Sequence, residues 1–241
     1  MPHPRVVIIG ASTGMGHALA RLFLSEGYPT AMLARHVEPM HALAAQYAHV
    51  RHAVAQIDIC RVSTVPTILQ HTIARLEGMD ILVHCAGYGL VNPHLDYAVE
   101  EGMIETNIKG FTAVMDWAFQ YFLQQQKGHL VAITSVAGIR GDRHAPAYFA
   151  SKAYQISYLQ ALHHKAVKSG LPIVVTDIRP GFVNTKPMEG KRFWMCSTET
   201  AAAHIFKAIR QRKRLAYITP RWRWVALAMR IAPYWVYEKV M

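Results

Sequence analysis

The stretch Val6-Val7-Ile8-Ile9-Gly10-Ala11-Ser12-Thr13-Gly14-Met15-Gly16 decides how the rest of the chain is read. Its first four residues are all apolar, without the alternation that a solvent-facing side imposes. Such a run describes a strand buried on both faces, as in a parallel sheet. A glycine loop follows at once, and a helical pattern begins at Gly14. Glycines there let the backbone turn tightly and approach a pyrophosphate, while the helix N-terminus adds unpaired N–H groups and a partial positive charge. The spacing is G-x-x-x-G-x-G rather than G-x-G-x-x-G. A glycine cluster also serves as a plain turn, so its place at the first strand–helix junction is what gives it weight.

Outward from this stretch, short β-branched runs alternate with longer helical patterns. Strands are expected at Val6–Ile9, Thr30–Leu33, Val54–Ile57, Ile81–His84, His129–Thr134, Ile173–Ile178 and Leu215–Thr219. Helices are expected at about Gly14–Glu26, Pro39–Ala48, Ser63–Glu77, Leu95–Gln126, Ala145–Ser169 and Thr198–Lys213. Seven strands alternating with six helices predict right-handed crossovers and an α/β, Rossmann-like, doubly wound sheet, seven-stranded and mainly parallel, with helices on both faces. Gly170 followed by Leu171-Pro172 should stop the long helix. Thr219-Pro220 reads as the N-cap and first position of a further short helix, ended by Pro233. No linker, repeat or low-complexity tract divides the chain, so 1–241 reads as a single domain.

Composition narrows the function classes. Of 241 residues, 52% are apolar and 17% charged, which excludes a disordered or fibrous chain. Cys60, Cys85 and Cys196 are odd in number, widely spaced and free of any CxxC, so a reducing compartment is expected and a disulfide framework is not. No apolar stretch approaches the ~20 residues of a spanning helix, and no signal peptide precedes the first strand. The expectation is a soluble, cytoplasmic protein. Its net charge is +11, and from Ala201 onward nine cations stand against Glu238 alone. The fourteen histidines include the pairs His49–His52 and His163–His164, without HExxH or converging carboxylates, so no metal site is expected.

At the glycine loop the chain resembles the short-chain dehydrogenase/reductase family, in its single-domain branch with a TGxxxGxG-type loop, although Ile9 stands where the family usually has Thr. The resemblance implies that Gly10, Ser12, Thr13, Gly14, Met15 and Gly16 meet the cofactor. It further implies that Asp58, with Ile59 beside it, closes the third strand and binds the adenine amino group; the plain alternative is a helix-capping carboxylate. His84-Cys85-Ala86-Gly87 stands where the family usually has Asn-Asn-Ala-Gly. Ala86 and Gly87 keep the shape against which the cofactor would lie, while two amides become an imidazole and a thiol.

The second strand ends Ala34-Arg35-His36, with no carboxylate to bind a ribose diol and repel a 2′-phosphate. Arg35 matches the position at which NADP-preferring members of the family carry a cation, so NADP(H) is the expected cofactor.

Tyr148-Phe149-Ala150-Ser151-Lys152 is a Y-x-x-x-K unit within a helical stretch, which sets phenol and ammonium on one face. A free tyrosine titrates near ~10, so a phenolate at neutral pH requires about 4 kcal/mol. One cation ~5 Å away at an effective dielectric of ~20 supplies about 3 kcal/mol. Tyr148 therefore serves as acid/base only with Lys152 beside it and a cofactor bound. Ser135 ends a strand and suits a hydrogen bond to a substrate oxygen. The resemblance implies that Asn107 interrupts its helix and holds a water in the proton relay to the lysine. It also implies that Tyr148 and Lys152 touch the cofactor, and that Pro180-Gly181 bends over the nicotinamide with Val183 and Thr185 in contact.

On the substrate side, residues 186–199 would form a lid. Its Phe193, Trp194 and Met195 suit a bulky hydrophobic carbonyl or alcohol, or else simply bury the loop. The extension 215–241 is basic and aromatic. Trp222, Val225, Ala226 and Met229 share one helical face, with Arg223 and Arg230 in a basic stripe. That face would pack on the lid, on a second subunit or on a membrane surface; no nucleic-acid motif accompanies the cations. The leading expectation is an NADP(H)-dependent carbonyl reductase or alcohol dehydrogenase that works as a homodimer or homotetramer. The alternative is a non-catalytic protein that senses NADP(H) or attaches to a membrane.

Overall fold

The computed structural model describes residues 3–185 and 193–240. The first strand β1 (Val6–Ile9) lies at the centre of the sheet and is buried on both faces. Val6 and Ile8 project into one core cluster and Val7 and Ile9 into the other, as a run without polar alternation requires. In chain order there follow α1 (Gly14–Ser25), β2 (Thr30–Ala34), α2 (Glu38–Gln46), β3 (His52–Gln56), α3 (Val65–Leu76), β4 (Ile81–His84), α4 (Tyr97–Ile104) and α5 (Phe111–Gln124). The second half adds β5 (Gly128–Ile133), α6 (Pro146–Ser169), β6 (Ile173–Pro180), β7 (Val183–Asn184), β8 (Cys196–Ser197), α7 (Thr198–Arg210), β9 (Leu215–Ile218), α8 (Trp222–Ile231) and α9 (Tyr234–Val240).

Seven strands pair in the order β3-β2-β1-β4-β5-β6-β9, all parallel. Helices α1, α2 and α7 cover one face and α3, α5 and α6 the other. The chain leaves β1 towards β2 on one side and returns to β4 on the other. Such a reversal opens a crevice at the carboxyl ends of the strands. The carboxyl ends of β1, β4, β5 and β6 are neighbours there.

The expected helix Leu95–Gln126 proves to be three pieces. Between α4 and α5 lies one π-helical segment, Glu105–Gly110, in which the Phe111 amide reaches back five residues to the Thr106 carbonyl. Helical periodicity does not reveal one inserted residue. The short helix near the end starts at Trp222 rather than at Pro220. Thr219 uses its carbonyl to accept from the Trp222 amide and its hydroxyl to accept from Arg221 Nε, so it closes a turn instead of capping. Pro233 does end that helix, but α9 begins directly after it. A two-stranded parallel pair, β7 with β8, was not expected; two-residue strands leave no pattern to read. Gly170 ends α6 with φ +70°, as its cap position demands.

The tail packs on the same chain. Trp222 is buried against Gly181, where an added Cβ would meet the indole at 1.9 Å. The indole also meets Phe182 edge-on at 5.4 Å and lies 6.3 and 6.2 Å from Phe193 and Trp194. Arg140 donates to the Ala232 carbonyl at 2.7 Å, and the Tyr237 hydroxyl donates to the Gly141 carbonyl at 2.9 Å. The tail thus braces the stretches that follow β5 and β6 through Trp222, Ala232 and Tyr237, while Trp224, Leu227 and Ile231 stay exposed. Among the described residues no helix is long and apolar enough to cross a membrane.

Two tests follow from this packing. Truncating a buried tryptophan typically costs 3–5 kcal/mol, so Trp222→Ala should lower the unfolding free energy by about 3 kcal/mol in urea titration. The second concerns His129, buried on β5 with Nε2 2.7 Å from Thr176 Oγ1. That hydroxyl gives its only proton to the Lys213 carbonyl, so the imidazole donates through Nε2. Burial, aided by Arg212, pushes its pKa down to about 4. The unfolded chain therefore takes up the proton first, near pH ~6.5, and stability falls as pH drops from there towards 4. His129 alone should make unfolding at pH 7 and pH 4.5 differ by about 2 kcal/mol, and His129→Gln should reduce the measured difference by that amount.

Candidate active site

The carboxyl ends of the central strands carry most of the residues singled out in the sequence. At the end of β1, Gly10 has φ +85°, and an added Cβ would fall 2.6 Å from the Ala86 amide nitrogen beyond β4. An added Cβ on Gly16 would fall 2.1 Å from the Gly10 carbonyl oxygen. These glycines therefore let the loop fold tightly onto the start of α1 while the strand beside it closes in. Thr13 precedes α1 as its N-cap with no side-chain bond, so the hydroxyl does not satisfy the helix's first amides. Ser12, Gly14 and Met15 are partly exposed along the rim of the loop. Thr185 lies across the loop, its Cβ 3.5 Å from where a Gly14 side chain would begin. The segment after Pro180 thus comes to the loop at Thr185, and Val183 is buried in the same core cluster as Ala11.

Arg35 is exposed at the end of β2, and its guanidinium forms no ion pair among the described residues. Its carbonyl accepts from Gln56 Nε2 at 3.0 Å. Asp58 is half-exposed beyond β3, with Oδ1 accepting from the Cys60 amide at 3.1 Å, while Ile59 is buried against Gly110.

The second group gathers around α6. Ser135, buried at the end of β5, accepts from the Ala137 amide at 3.1 Å and stands beside the Tyr148 phenol. One flank of the Tyr148 ring lies against Gly89 of the loop after β4, where an added Cβ would be 2.5 Å from the ring. Burial pushes the phenol's pKa up and the Ser135 hydroxyl pulls it down; burial wins, so Tyr148 carries its proton at neutral pH. Lys152 is 5% exposed with Nζ 6.0 Å from the Tyr148 ring centroid. It donates to the Ile133 carbonyl at 3.2 Å and to Gln155 Oε1 at 2.9 Å. Burial brings its pKa down to about 8, opposed by the field of Asp177.

Asn107 is fully buried in the π-helical segment. Its Oδ1 accepts from the Tyr88 amide at 3.1 Å, and its Nδ2 donates to the Tyr88 carbonyl at 2.7 Å and to Ser151 Oγ at 3.1 Å. The side chain thereby ties the loop after β4 to α6. Its main-chain carbonyl accepts from Gln155 Nε2 at 2.8 Å.

Sequence reasoning missed Gln155, Asp177 and, as a side chain, Arg179. The signal for Gln155 was a polar residue on the apolar face of α6 beside Ile156 and Leu159. Asp177 and Arg179 sit two apart on one face of β6, and both are buried. Arg179 reaches Asp177 at 2.6 Å, and Thr134 donates to the other carboxylate oxygen at 2.6 Å. On the substrate side, Phe193 stacks on Trp194 with centroids 4.2 Å apart; Phe193 is exposed, and Met195 is partly buried. Residues 186–192 of the expected lid lie outside the described residues.

The family profile described as short chain dehydrogenase matches residues 4–195. An uncharacterized oxidoreductase of Staphylococcus epidermidis is 31% identical over 189 residues, covering 78% of this chain and 81% of its own. One from Staphylococcus aureus is 32% identical over 181 residues, covering 74% and 78%. Among solved structures, a bulky-bulky ketone specific alcohol dehydrogenase from Comamonas testosteroni superposes with TM-score 0.79 at 22% identity, covering 95% of this chain and 92% of its own. ElxO with NADP bound gives 0.77 at 21% identity over 89% and 97%. The fold is the one these structures share, and by profile and relatives alike the chain belongs to the short-chain dehydrogenase family.

Proposed function

We propose that the protein is an NADP(H)-dependent oxidoreductase that reduces a carbonyl, or oxidises the matching secondary alcohol, on a bulky hydrophobic compound. The convergence of Ser135, Tyr148 and Lys152 at the crevice beside the Gly10–Gly16 loop carries this reading. The loop, with Ala86, Gly87, Asp58, Ile59, Pro180, Gly181, Val183 and Thr185, is the proposed seat of the dinucleotide, because its close backbone approaches leave no room for side chains there. When bound, NADPH supplies the hydride.

The chain's own residues supply the proton. Tyr148, protonated at neutral pH, gives its phenolic hydrogen to the carbonyl oxygen, and Ser135 Oγ–H holds that oxygen in place. The phenolate left behind is stabilised by Lys152, worth about 3 kcal/mol at ~6 Å and an effective dielectric of ~20. Asn107 orders the loop that presents Gly89 to the Tyr148 ring. Phe193, Trp194 and Met195, backed by Trp222, give the substrate an apolar wall. The Comamonas enzyme's preference for ketones with two bulky arms agrees with such a wall.

A second copy of the chain is the proposed partner, meeting the half-buried aromatic pairs Trp117–Tyr121 of α5 and Tyr154–Tyr158 of α6. The same reading puts the protein in the cytoplasm. Exposed Trp224, Leu227 and Ile231, flanked by Arg223 and Arg230, are the surface on which peripheral membrane contact would occur.

NADPH oxidation followed at 340 nm over a panel of aryl and alkyl ketones and aldehydes tests the reaction. Tyr148→Phe should lower turnover of the best substrate at least about 100-fold, and an unchanged rate would sink the assignment. A guanidinium–phosphate bond is worth about 1.5–3 kcal/mol, so Arg35→Ala should weaken NADPH about tenfold to a hundredfold in fluorescence titration and leave NADH nearly unaffected.

A further inference from the structure

Gln155 follows Lys152 by three residues, close to one turn of α6, and is 1% exposed. Its amide closes a gap between two helical segments. Oε1 accepts from Lys152 Nζ at 2.9 Å, and Nε2 donates to the Asn107 carbonyl at 2.8 Å. The orientation is fixed by chemistry, since an ammonium only donates and a carbonyl only accepts. The place at which the family resemblance puts a relay water, between Asn107 and the lysine, is therefore filled by a side chain. Water there could accept a proton on one side and release one on the other. A carboxamide cannot, because its N–H is far too weak an acid at neutral pH and its oxygen far too weak a base.

We propose that Gln155 is a positioning residue that holds Lys152 as a stationary ammonium and closes the Asn107 route to proton transfer. In reduction the Tyr148 O–H bond breaks and the alcohol O–H bond forms. The phenolate then regains its proton from solvent at the mouth of the crevice, past the partly exposed Tyr148 ring, and not along α6. This rests on the acid/base reading of Tyr148 and Lys152 given above.

Every group facing the ammonium agrees with a fixed charge. From β6, Asp177 supplies the one carboxylate, shared with Arg179. Cys85 beyond β4 stays a thiol, because burial lifts it to about 12. His84 at the end of β4 stays neutral, because burial and Lys152 hold it at about 3. From β5 comes the Ile133 carbonyl, and from α6 itself Tyr148 and Gln155. Gln155 is thus the only neutral side-chain acceptor bonded to the ammonium among the described residues, and the one whose chemistry decides whether protons pass.

The test compares Gln155→Leu, Gln155→Glu and Gln155→Ala. The titration midpoint of Lys152 is read from its ¹³Cε shift in the nucleotide-free protein, assigned by Lys152→Arg. Losing the acceptor in Gln155→Leu should lower the midpoint by about one unit or more, and the carboxylate of Gln155→Glu should raise it by a similar amount. A role in packing alone moves neither in opposite directions. Gln155→Ala makes room for water, so the proton inventory of its best ketone's reduction should turn from linear to curved. Unshifted midpoints in whichever of the Leu and Glu variants fold, or a curved inventory already in the wild type, overturn the proposal. If instead Tyr148→Phe retains full turnover, the acid/base reading itself fails, whatever Gln155 does.

Discussion

An ammonium buried in the middle of a protein is costly, and the arrangement around Lys152 is what makes that burial tolerable. Removing an ion from water carries a penalty of several kcal/mol even after the surroundings relax. Here the cost is offset by two hydrogen bonds, to Ile133 and Gln155, and by the field of Asp177. Asp177 is itself buried and is shared with Arg179, so two cations and one carboxylate lie under the crevice. The surplus positive charge lies close to the Tyr148 ring, 6.0 Å from its centroid, where the proposed function needs it. Without the partners from β5, α6 and β6, the lysine would lose its proton or swing to solvent.

That requirement explains why the sheet order matters more than any single motif. Lys152 comes from α6, its acceptors from the end of β5 and from α6, and its anion from β6. The Asn107 that locks α6 through Ser151 comes from the break between α4 and α5. Only a sheet with β4, β5 and β6 side by side brings these together. The π-helical segment belongs to the same logic: within it the Asn107 carbonyl turns to the Gln155 amide instead of serving only its own helix, and π-bulges often mark such sites.

The sheet was legible because its strands are unbroken apolar runs and its helices end at chemically marked positions such as Gly170. The glycine loop was legible because close backbone approach permits only glycine at Gly10 and Gly16. Tyr148, Lys152 and Ser135 could be read from spacing, since four residues along a helix and the end of a strand fix direction. Gln155 could not. A lone glutamine on a helix face carries no spacing rule, and its meaning appears only once the Asn107 carbonyl stands opposite. Asp177 and Arg179 were hidden for a related reason, because strand alternation says that they share a face but not that the face is closed. The start of α8 was misread since Thr-Pro is a good helix opening in isolation. Here the Thr219 carbonyl and hydroxyl accept from Trp222 and Arg221, and so turn the chain before the helix begins.

The division of labour along the chain follows from where the family match ends. The matched stretch stops at residue 195, and it contains the glycine loop, Ser135, Tyr148, Lys152 and Gln155. Trp222 lies beyond it, yet it supports Gly181, Phe182, Phe193 and Trp194 from behind, while α8 and α9 hold the segment after Ser135 through Arg140 and Gly141. The tail therefore touches the stretches after β5 and β6 without a hydrogen bond or ring contact to Tyr148 or Lys152 among the described residues. On the proposed function, changes in its packing would reshape what the crevice admits, whereas the proposed proton-moving arrangement is built from the sheet, the π-helical segment and α6. Under that proposal substrate choice and chemistry vary separately, because different parts of the chain carry their structural cost.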